Sequence, residues 1–418
     1  MNHFQLRDGE LHAEDVPLSR IAAEVGTPVY VYSRRAFEDQ ANAFRAGLAG
    51  VPRTHLAYAI KANPNLAVLR VLAKCGYGAD VVSGGEMARA IAGGIAPADI
   101  VFSGVGKTED ELGGGLENGI GQFNIEAEEE GVVLARIAHA RGLTAPATLR
   151  VNPDVDAGTH AKISTGKAEN KFGVAISDAP AIFARLSQLP GLNLRGVAIH
   201  IGSQLQSLDP LEAAYRRVGQ LIAELRATGH GITHVDLGGG LGVPYRPGEV
   251  FPTAAEFGAM VERVTRGWDA TLMFEPGRFI AGNAGVLLTR VIWVKPGVTH
   301  PWLIVDAAMN DLARPALYDA WHDFVAVRPT GERMTVNIAG PVCESGDTFA
   351  MAREVDAVAN GDLAVFRTAG AYGATMASTY NSRALVPEVL VDGSRYAVVA
   401  DRIAPAQIMS AERVPEWL

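Results

Sequence analysis

The chain has 418 residues, 48% hydrophobic and 20% charged, which is enough for two or three domains around sizeable apolar cores. Its 37 Lys and Arg against 46 Asp and Glu leave a formal charge of −9 with no basic cluster, which argues against nucleic acid or an anionic membrane as partner. Cys75 and Cys343 cannot build a disulfide framework, and neither a signal-like apolar core nor a bilayer-length apolar run stands out, so a cytoplasmic chain with free thiols is expected.

In chain order, residues 1–30 contain short strand-like pieces, notably Pro28–Tyr32, expected to join a β-domain met later in the chain. Within residues 31–282, expected to form one domain, a pattern recurs from about residue 55 to 280, in which a short apolar run ends in polar or glycine residues and a helix-like stretch follows. The runs are Leu56–Ile60, Gly78–Val82, Ile100–Ser103, Phe123–Ile125, Ala147–Val151, Gly196–His200, His234–Leu237 and Leu272–Glu275. Eight strand candidates alternating with helices predict an α/β fold, a (β/α)8 barrel of the TIM type. Alternation alone would also suit an open doubly wound sheet. The position of the polar residues favours the barrel: Lys61, Asp80, Ser103, Glu126, Asn152, His200, Gly238 and Glu275 all stand at or just past C-terminal run ends, which in a barrel share one mouth. One helix candidate, Thr108–Glu117, carries Gly113, Gly114 and Gly115 in a row, and at roughly 1 kcal/mol per glycine it is expected to be weak or broken. From residue 283 to 418 the runs shorten and alternate, as in Val286–Val294, Trp302–Val305 and Ala364–Phe366, predicting a C-terminal antiparallel β-domain.

Several of these strand ends carry chemistry. A lysine at a buried strand end, such as Lys61, favours its neutral amine, the form that condenses with an aldehyde, although a lone lysine is more often a surface residue. Gly238, Gly239 and Gly240 follow a strand without the dinucleotide fingerprint; such a run is often only a tight turn, yet it also lets backbone N–H groups approach a phosphate. Ser203, Gly277 and the fork-shaped donor Arg278 extend that anion site. Glu275 supplies a carboxylate able to keep a pyridine nitrogen protonated, and His200 could stack on a ring; either could also be an ordinary buried core residue. Cys343 is a candidate proton donor, though a lone cysteine is more often inert.

Six motifs in this order resemble the fold-type III pyridoxal-phosphate decarboxylases: Y-A-I-K-A-N-P-N at 58–65, H-I-G-S-Q at 200–204, D-L-G-G-G-L-G at 236–242, E-P-G-R at 275–278, C-E-S-G-D at 343–347 and G-A-Y-G at 370–373. The resemblance implies pyridoxal 5'-phosphate bound through Lys61 as a Schiff base, His200 stacked on its ring and Glu275 at its pyridine nitrogen. It further implies that Asp80 belongs to the cofactor site and that Ser203, Gly238 to Gly240, Gly277, Arg278 and Tyr372 hold the phosphate. The expected active assembly is a homodimer, with Cys343 and Glu344 reaching the site of the second copy. No metal is expected. The segment Asp306–Tyr318 resembles the branch of the family acting on meso-2,6-diaminopimelate, an amino-acid substrate whose distal carboxylate Arg278, Arg314 and Tyr318 would grip while Glu344 and Tyr372 complete the substrate site. The implied reaction yields L-lysine and carbon dioxide, the last step of lysine biosynthesis; the alternative is a decarboxylase of ornithine, arginine or lysine. Residues 158–166 with Asn170–Gly173 resemble the segment over the barrel mouth, and Ala307, Ala313 and the glycine triplet depart from the family pattern.

Overall fold

Eight parallel strands close on themselves between residues 54 and 274. They are β1 (Thr54–Ala59), β2 (Gly78–Val81), β3 (Ile100–Phe102), β4 (Gln122–Ile125), β5 (Ala145–Asn152), β6 (Leu192–Ala198), β7 (His234–Asp236) and β8 (Thr271–Phe274). Each pairs in parallel with the next, and β8 pairs with β1 through Leu272–Thr54, Met273–His55 and Phe274–Leu56, so the sheet has no edge. The computed structural model describes residues 3–156 and 171–418. Strands covered on both faces must be apolar along their length, and β2, β3 and β4 are buried at every position. Seven helices, Leu66–Lys74, Gly84–Ala92, Glu109–Asn118, Glu128–Ala140, Ala179–Leu186, Asp209–Ala227 and Ala254–Thr265, return the chain between successive strands. All eight expected runs are strands of this barrel.

The glycine-bearing helix is intact, against expectation. Thr108 and Glu111 form a reciprocal capping box at its start, and Gly119 closes it in the left-handed region at φ 67°. Its glycines admit close neighbours: a Cβ on Gly115 would lie 2.9 Å from the Phe123 ring, and one on Gly113 2.7 Å from the Arg141 guanidinium. Arg141 Nη1 also donates to the Gly113 carbonyl at 2.7 Å. Caps at both ends and packing at the glycines offset the propensity cost.

The chain divides into two units, the barrel unit of Glu38–Val243 and Val250–Ile280, and a second unit of Met1–Phe37, Pro244–Glu249 and Ala281–Leu418. The second unit opens with a three-stranded antiparallel meander, Phe4–Arg7, Glu10–Ala13 and Val16–Pro17. Its main sheet runs Thr348–Asp356, Arg333–Ala339, Trp302–Val305, Gly285–Lys295, Val29–Ser33, Glu388–Asp392, Arg395–Ala400, with Leu363–Phe366 and Phe324–Ala326 branching from it. The sheet is mixed rather than purely antiparallel: Val29–Ser33 pairs in parallel with Glu388–Asp392, and Trp302–Val305 with Arg333–Ala339. Short alternating runs reveal which face is buried but not which distant strand lies alongside. Val29, Val31, Val286, Leu288, Val365, Val389 and Val391 form the core on one face of this sheet.

Candidate active site

Lys61 occupies a single 3-10 turn, Ile60–Ala62, directly after β1. Its Nζ lies 2.6 Å from Asp80 Oδ2 on β2, with the lysine side chain 38% exposed and the aspartate side chain fully buried. Parallel neighbours β1 and β2 put the two groups side by side. The side chain is partly open and paired with a buried carboxylate, where the sequence led us to expect a lysine enclosed by burial. The other Asp80 oxygen, Oδ1, is buried with no hydrogen-bond partner among the described residues.

A polar chain crosses the upper barrel toward Glu275. Thr148 Oγ1 and Gln122 Nε2 donate to Asn124 Oδ1 at 2.6 and 2.9 Å. Asn124 Nδ2 in turn donates to Asp236 Oδ2 at 2.8 Å and to Ser103 Oγ at 3.0 Å. Asp236 Oδ1 accepts the Gly238 N–H at 2.9 Å, and Ser103 Oγ lies 3.4 Å from Glu275 Oε1. Desolvation raises Glu275 well above the usual carboxylate range, the charges of Asp236 and Asp80 push it further, and Lys61 opposes them. Desolvation also raises Asp236, but the bonds from Asn124 and Gly238 hold it down, so the proton shared by these two carboxyls resides on Glu275.

His200, just past β6, is neutral. Its Nδ1 accepts the Gly239 N–H at 3.3 Å. Desolvation, aided by the positive charges of Arg150 and Lys61, pushes its pKa down to about 3. The glycine run beside it is obligatory. Gly238 and Gly240 have φ of 65° and 119°, and a Cβ on Gly239 would lie 2.4 Å from the Glu275 carbonyl oxygen. Arg278, buried at 6% exposure, donates from Nε to Ser203 Oγ at 3.2 Å, and Gly277, also buried, precedes it. Glu126 and Asn152, also at strand ends, hold loops instead. Glu126 pairs with Arg150 at 2.7 Å and accepts the N–H groups of Gly104 and Gly173, while Asn152 Oδ1 accepts the Asp154 N–H.

The second unit gathers the remaining candidates. Cys343 is exposed on the turn between Arg333–Ala339 and Thr348–Asp356. Asp347 pins that turn, accepting the Val342 N–H at 2.7 Å and the Met309 N–H at 2.6 Å. The Met309 bond ties the C-E-S-G-D turn to the segment carrying Arg314 and Tyr318, which begin and end the helical turn Arg314–Tyr318. Glu344, exposed on the same turn, bonds the Tyr380 hydroxyl and raises its pKa. Tyr372 adopts φ 55° within Gly370–Gly373, where a Cβ on Gly370 would strike the Ala281 carbonyl oxygen. Residues 158–166 and Asn170, expected over the mouth, lie outside the described residues. Among the described residues no cluster of metal-binding side chains occurs, and no helix is long and apolar enough to cross a membrane. Asn124 and Arg150 escaped the sequence reading, and Asp236, although it opens the D-L-G-G-G-L-G motif, was given no role there: each lies within a strand, and its bonds depend on partners from other strands.

Residues 34–282 match the family model of the pyridoxal-dependent decarboxylase, pyridoxal binding domain. The chain is 50% identical to the diaminopimelate decarboxylase of Zymomonas mobilis, with 99% of each covered. Among solved structures it is similar to the diaminopimelate decarboxylase of M. jannaschii in co-complex with L-lysine, at 35% identity and a TM-score of 0.95, covering 99% of this chain and 98% of that one. It is also similar to the Helicobacter pylori enzyme complexed with L-lysine, at 36% identity and a TM-score of 0.91, covering 94% and 98%.

Proposed function

The chain belongs to the pyridoxal-dependent decarboxylases, and from that premise we propose that it removes carbon dioxide from the D-configured centre of meso-2,6-diaminopimelate, leaving L-lysine and ending lysine biosynthesis. One observation carries the reading: a single barrel mouth gathers Lys61, the neutral His200, the protonated Glu275 and a glycine run that leaves no room for side chains. The residues fit pyridoxal phosphate. The unpartnered Asp80 Oδ1 awaits a donor, and Gly238 to Gly240 leave backbone where Cβ atoms would collide.

The cofactor, when bound, supplies an electron sink for the pair left behind as carbon dioxide departs. Lys61 supplies the amine that attaches it, and Asp80, 2.6 Å away, accepts the proton that Nζ must shed. Glu275 holds a proton for the ring nitrogen, with Asp236 behind it favouring that placement. His200, uncharged, would stack on the ring without competing for the developing charge. Gly238 to Gly240, Ser203, Gly277, Arg278 and Tyr372 take the phosphate; the Arg278–Ser203 bond supports their acting together. For the substrate, Arg278, Arg314 and Tyr318 are assigned to the distal carboxylate, Glu344 to the distal ammonium, and Tyr372 to the remaining contacts. Ornithine and arginine end in a cation, which two arginines repel. Cys343 donates the proton that replaces the lost carboxylate, in a homodimer where each copy's Cys343 serves the other's Lys61. A cytoplasmic location accords with two free thiols.

The test is to incubate the purified protein with pyridoxal phosphate and meso-diaminopimelate, ornithine, arginine or lysine in turn. Carbon dioxide and L-lysine from diaminopimelate are expected, and preferred turnover of another substrate would overturn the assignment.

A further inference from the structure

We propose that His322 and Tyr245 are positioning residues for Arg314, fixing its guanidinium for the substrate's distal carboxylate; the inference rests on the reading of Arg314 as a carboxylate-binding residue. His322 is buried at 1% exposure and Arg314 at 7%. The imidazole Nδ1 lies 2.8 Å from the Arg367 carbonyl oxygen, which can only accept, so Nδ1 carries the proton and donates. The Nε2 lies 2.8 Å from Arg314 Nη1, which can only donate, so Nε2 offers its lone pair. Both contacts are satisfied by one species, the neutral Nδ1–H tautomer.

Tyr245 completes the arrangement from a segment far away in sequence. Its ring centroid lies 4.6 Å from Arg314 Cζ, and the His322 ring meets it edge-on at 5.4 Å and 85°. A guanidinium held at one nitrogen by an acceptor and on one face by a ring has its plane set, which matters for a fork that binds carboxylates in two parallel bonds. The chemistry of the holders is the informative part. An aspartate or glutamate in place of His322 would orient Arg314 equally well but would cancel its charge. A neutral imidazole and a phenol ring orient it without themselves setting a negative charge against it.

Steady-state kinetics of the holoenzyme test this with two competitive inhibitors, L-lysine, which retains the distal carboxylate, and 1,5-diaminopentane, the same chain without it. His322→Asn keeps an amide donor near Nδ1, for the Arg367 carbonyl, but cannot reach Arg314. It should raise KM for meso-diaminopimelate and Ki for L-lysine roughly tenfold, with kcat and the Ki of the diamine changed less than about twofold. His322→Gln, whose amide oxygen reaches the Nε2 position, should restore most of the loss. Arg314→Gln serves as the reference. If Arg314→Gln weakens L-lysine and His322→Asn does not, the positioning role is overturned and the reading of Arg314 stands. If Arg314→Gln has no effect, the reading of Arg314 itself fails. Equal weakening of L-lysine and the diamine by His322→Asn would mean general damage to the site and would also overturn the proposal. Should His322→Asn not fold, Tyr245→Leu decides in the same assay, because it removes the ring face and keeps both imidazole bonds.

Discussion

Glu275 keeps its proton because water cannot reach it and because two further carboxylates, Asp236 and Asp80, stand nearby. In the free protein that proton is shared with Asp236, whose own negative charge is held in place by Asn124 Nδ2 and the Gly238 N–H. If a ring nitrogen were to take that proton, as the role proposed for Glu275 requires, Glu275 and Asp236 would both be left as carboxylates, and each would favour the protonated ring. Asp236→Asn removes one of those charges at constant size. We expect kcat to fall by roughly 10- to 100-fold, equivalent to about 1.4–2.8 kcal/mol, with KM for diaminopimelate little changed. Single-turnover rates at saturating cofactor would check it, and an unchanged kcat would show that Glu275 acts alone. Lys61, His200, Glu275 and Cys343 stand out in the sequence as candidates because each lies at a strand end or on a turn, inside a motif. Asp236 and Asn124 do not, since their side chains point into a barrel whose closure brings β3, β4, β5 and β7 together. Nor does the sequence reveal that Lys61 is ion-paired, because the pairing depends on β1 and β2 being neighbours in register.

Among the elements, helix Glu109–Asn118 separates what propensity decides from what packing decides. Three glycines in a row predicted a broken helix, and the error lay in treating them as equivalent. Gly114 faces space: a Cβ there would find only the Met87 methyl, 3.7 Å away, an ordinary contact. Gly115 faces the Phe123 ring at 2.9 Å and the Ile120 methyl at 3.1 Å, with both neighbours buried. Gly114→Ala should therefore stabilise the protein by about 0.5–1 kcal/mol, through the helix preference alone. Gly115→Ala gains the same preference but must displace a core ring, and overpacking of that kind costs about 1–3 kcal/mol. Denaturant unfolding of the two variants should move the midpoint in opposite directions; movement in the same direction would sink the distinction. The eight barrel strands were legible for the complementary reason. A parallel strand buried on both faces has to be a continuous apolar run, and that is a purely local signal. The pairing of Val29–Ser33 with Glu388–Asp392 has no such signal, being a contact between elements more than 350 residues apart.

At the scale of the whole molecule, the residues proposed to carry the chemistry are divided between the two units of the chain. The barrel unit holds Lys61, Asp80, His200, Ser203, Gly238 to Gly240, Glu275, Gly277 and Arg278. The second unit holds Cys343, Glu344, Arg314, Tyr318 and Tyr372, with Cys343 and Arg314 linked through the bond between Asp347 and Met309. In the proposed homodimer, Cys343 and Glu344 of each copy serve the Lys61 of the other. That arrangement has a consequence no single-chain site would share. A Lys61→Ala chain lacks the attachment amine but keeps a sound Cys343, and a Cys343→Ala chain has the reverse defect. When equal amounts are mixed and allowed to exchange subunits, about half the dimers become mixed, and each mixed dimer owns one site with both groups intact. Activity should then climb from the low level of either variant toward about a quarter of the wild-type value. A site built within one chain would show no recovery on mixing, because every chain would still carry its own lesion. The same experiment on a Lys61→Ala, Cys343→Ala double variant mixed with the wild type sharpens the contrast. Each mixed dimer then pairs a wild-type Lys61 with a defective Cys343 and a wild-type Cys343 with a defective Lys61, so no site in it is whole, and activity should fall below simple dilution.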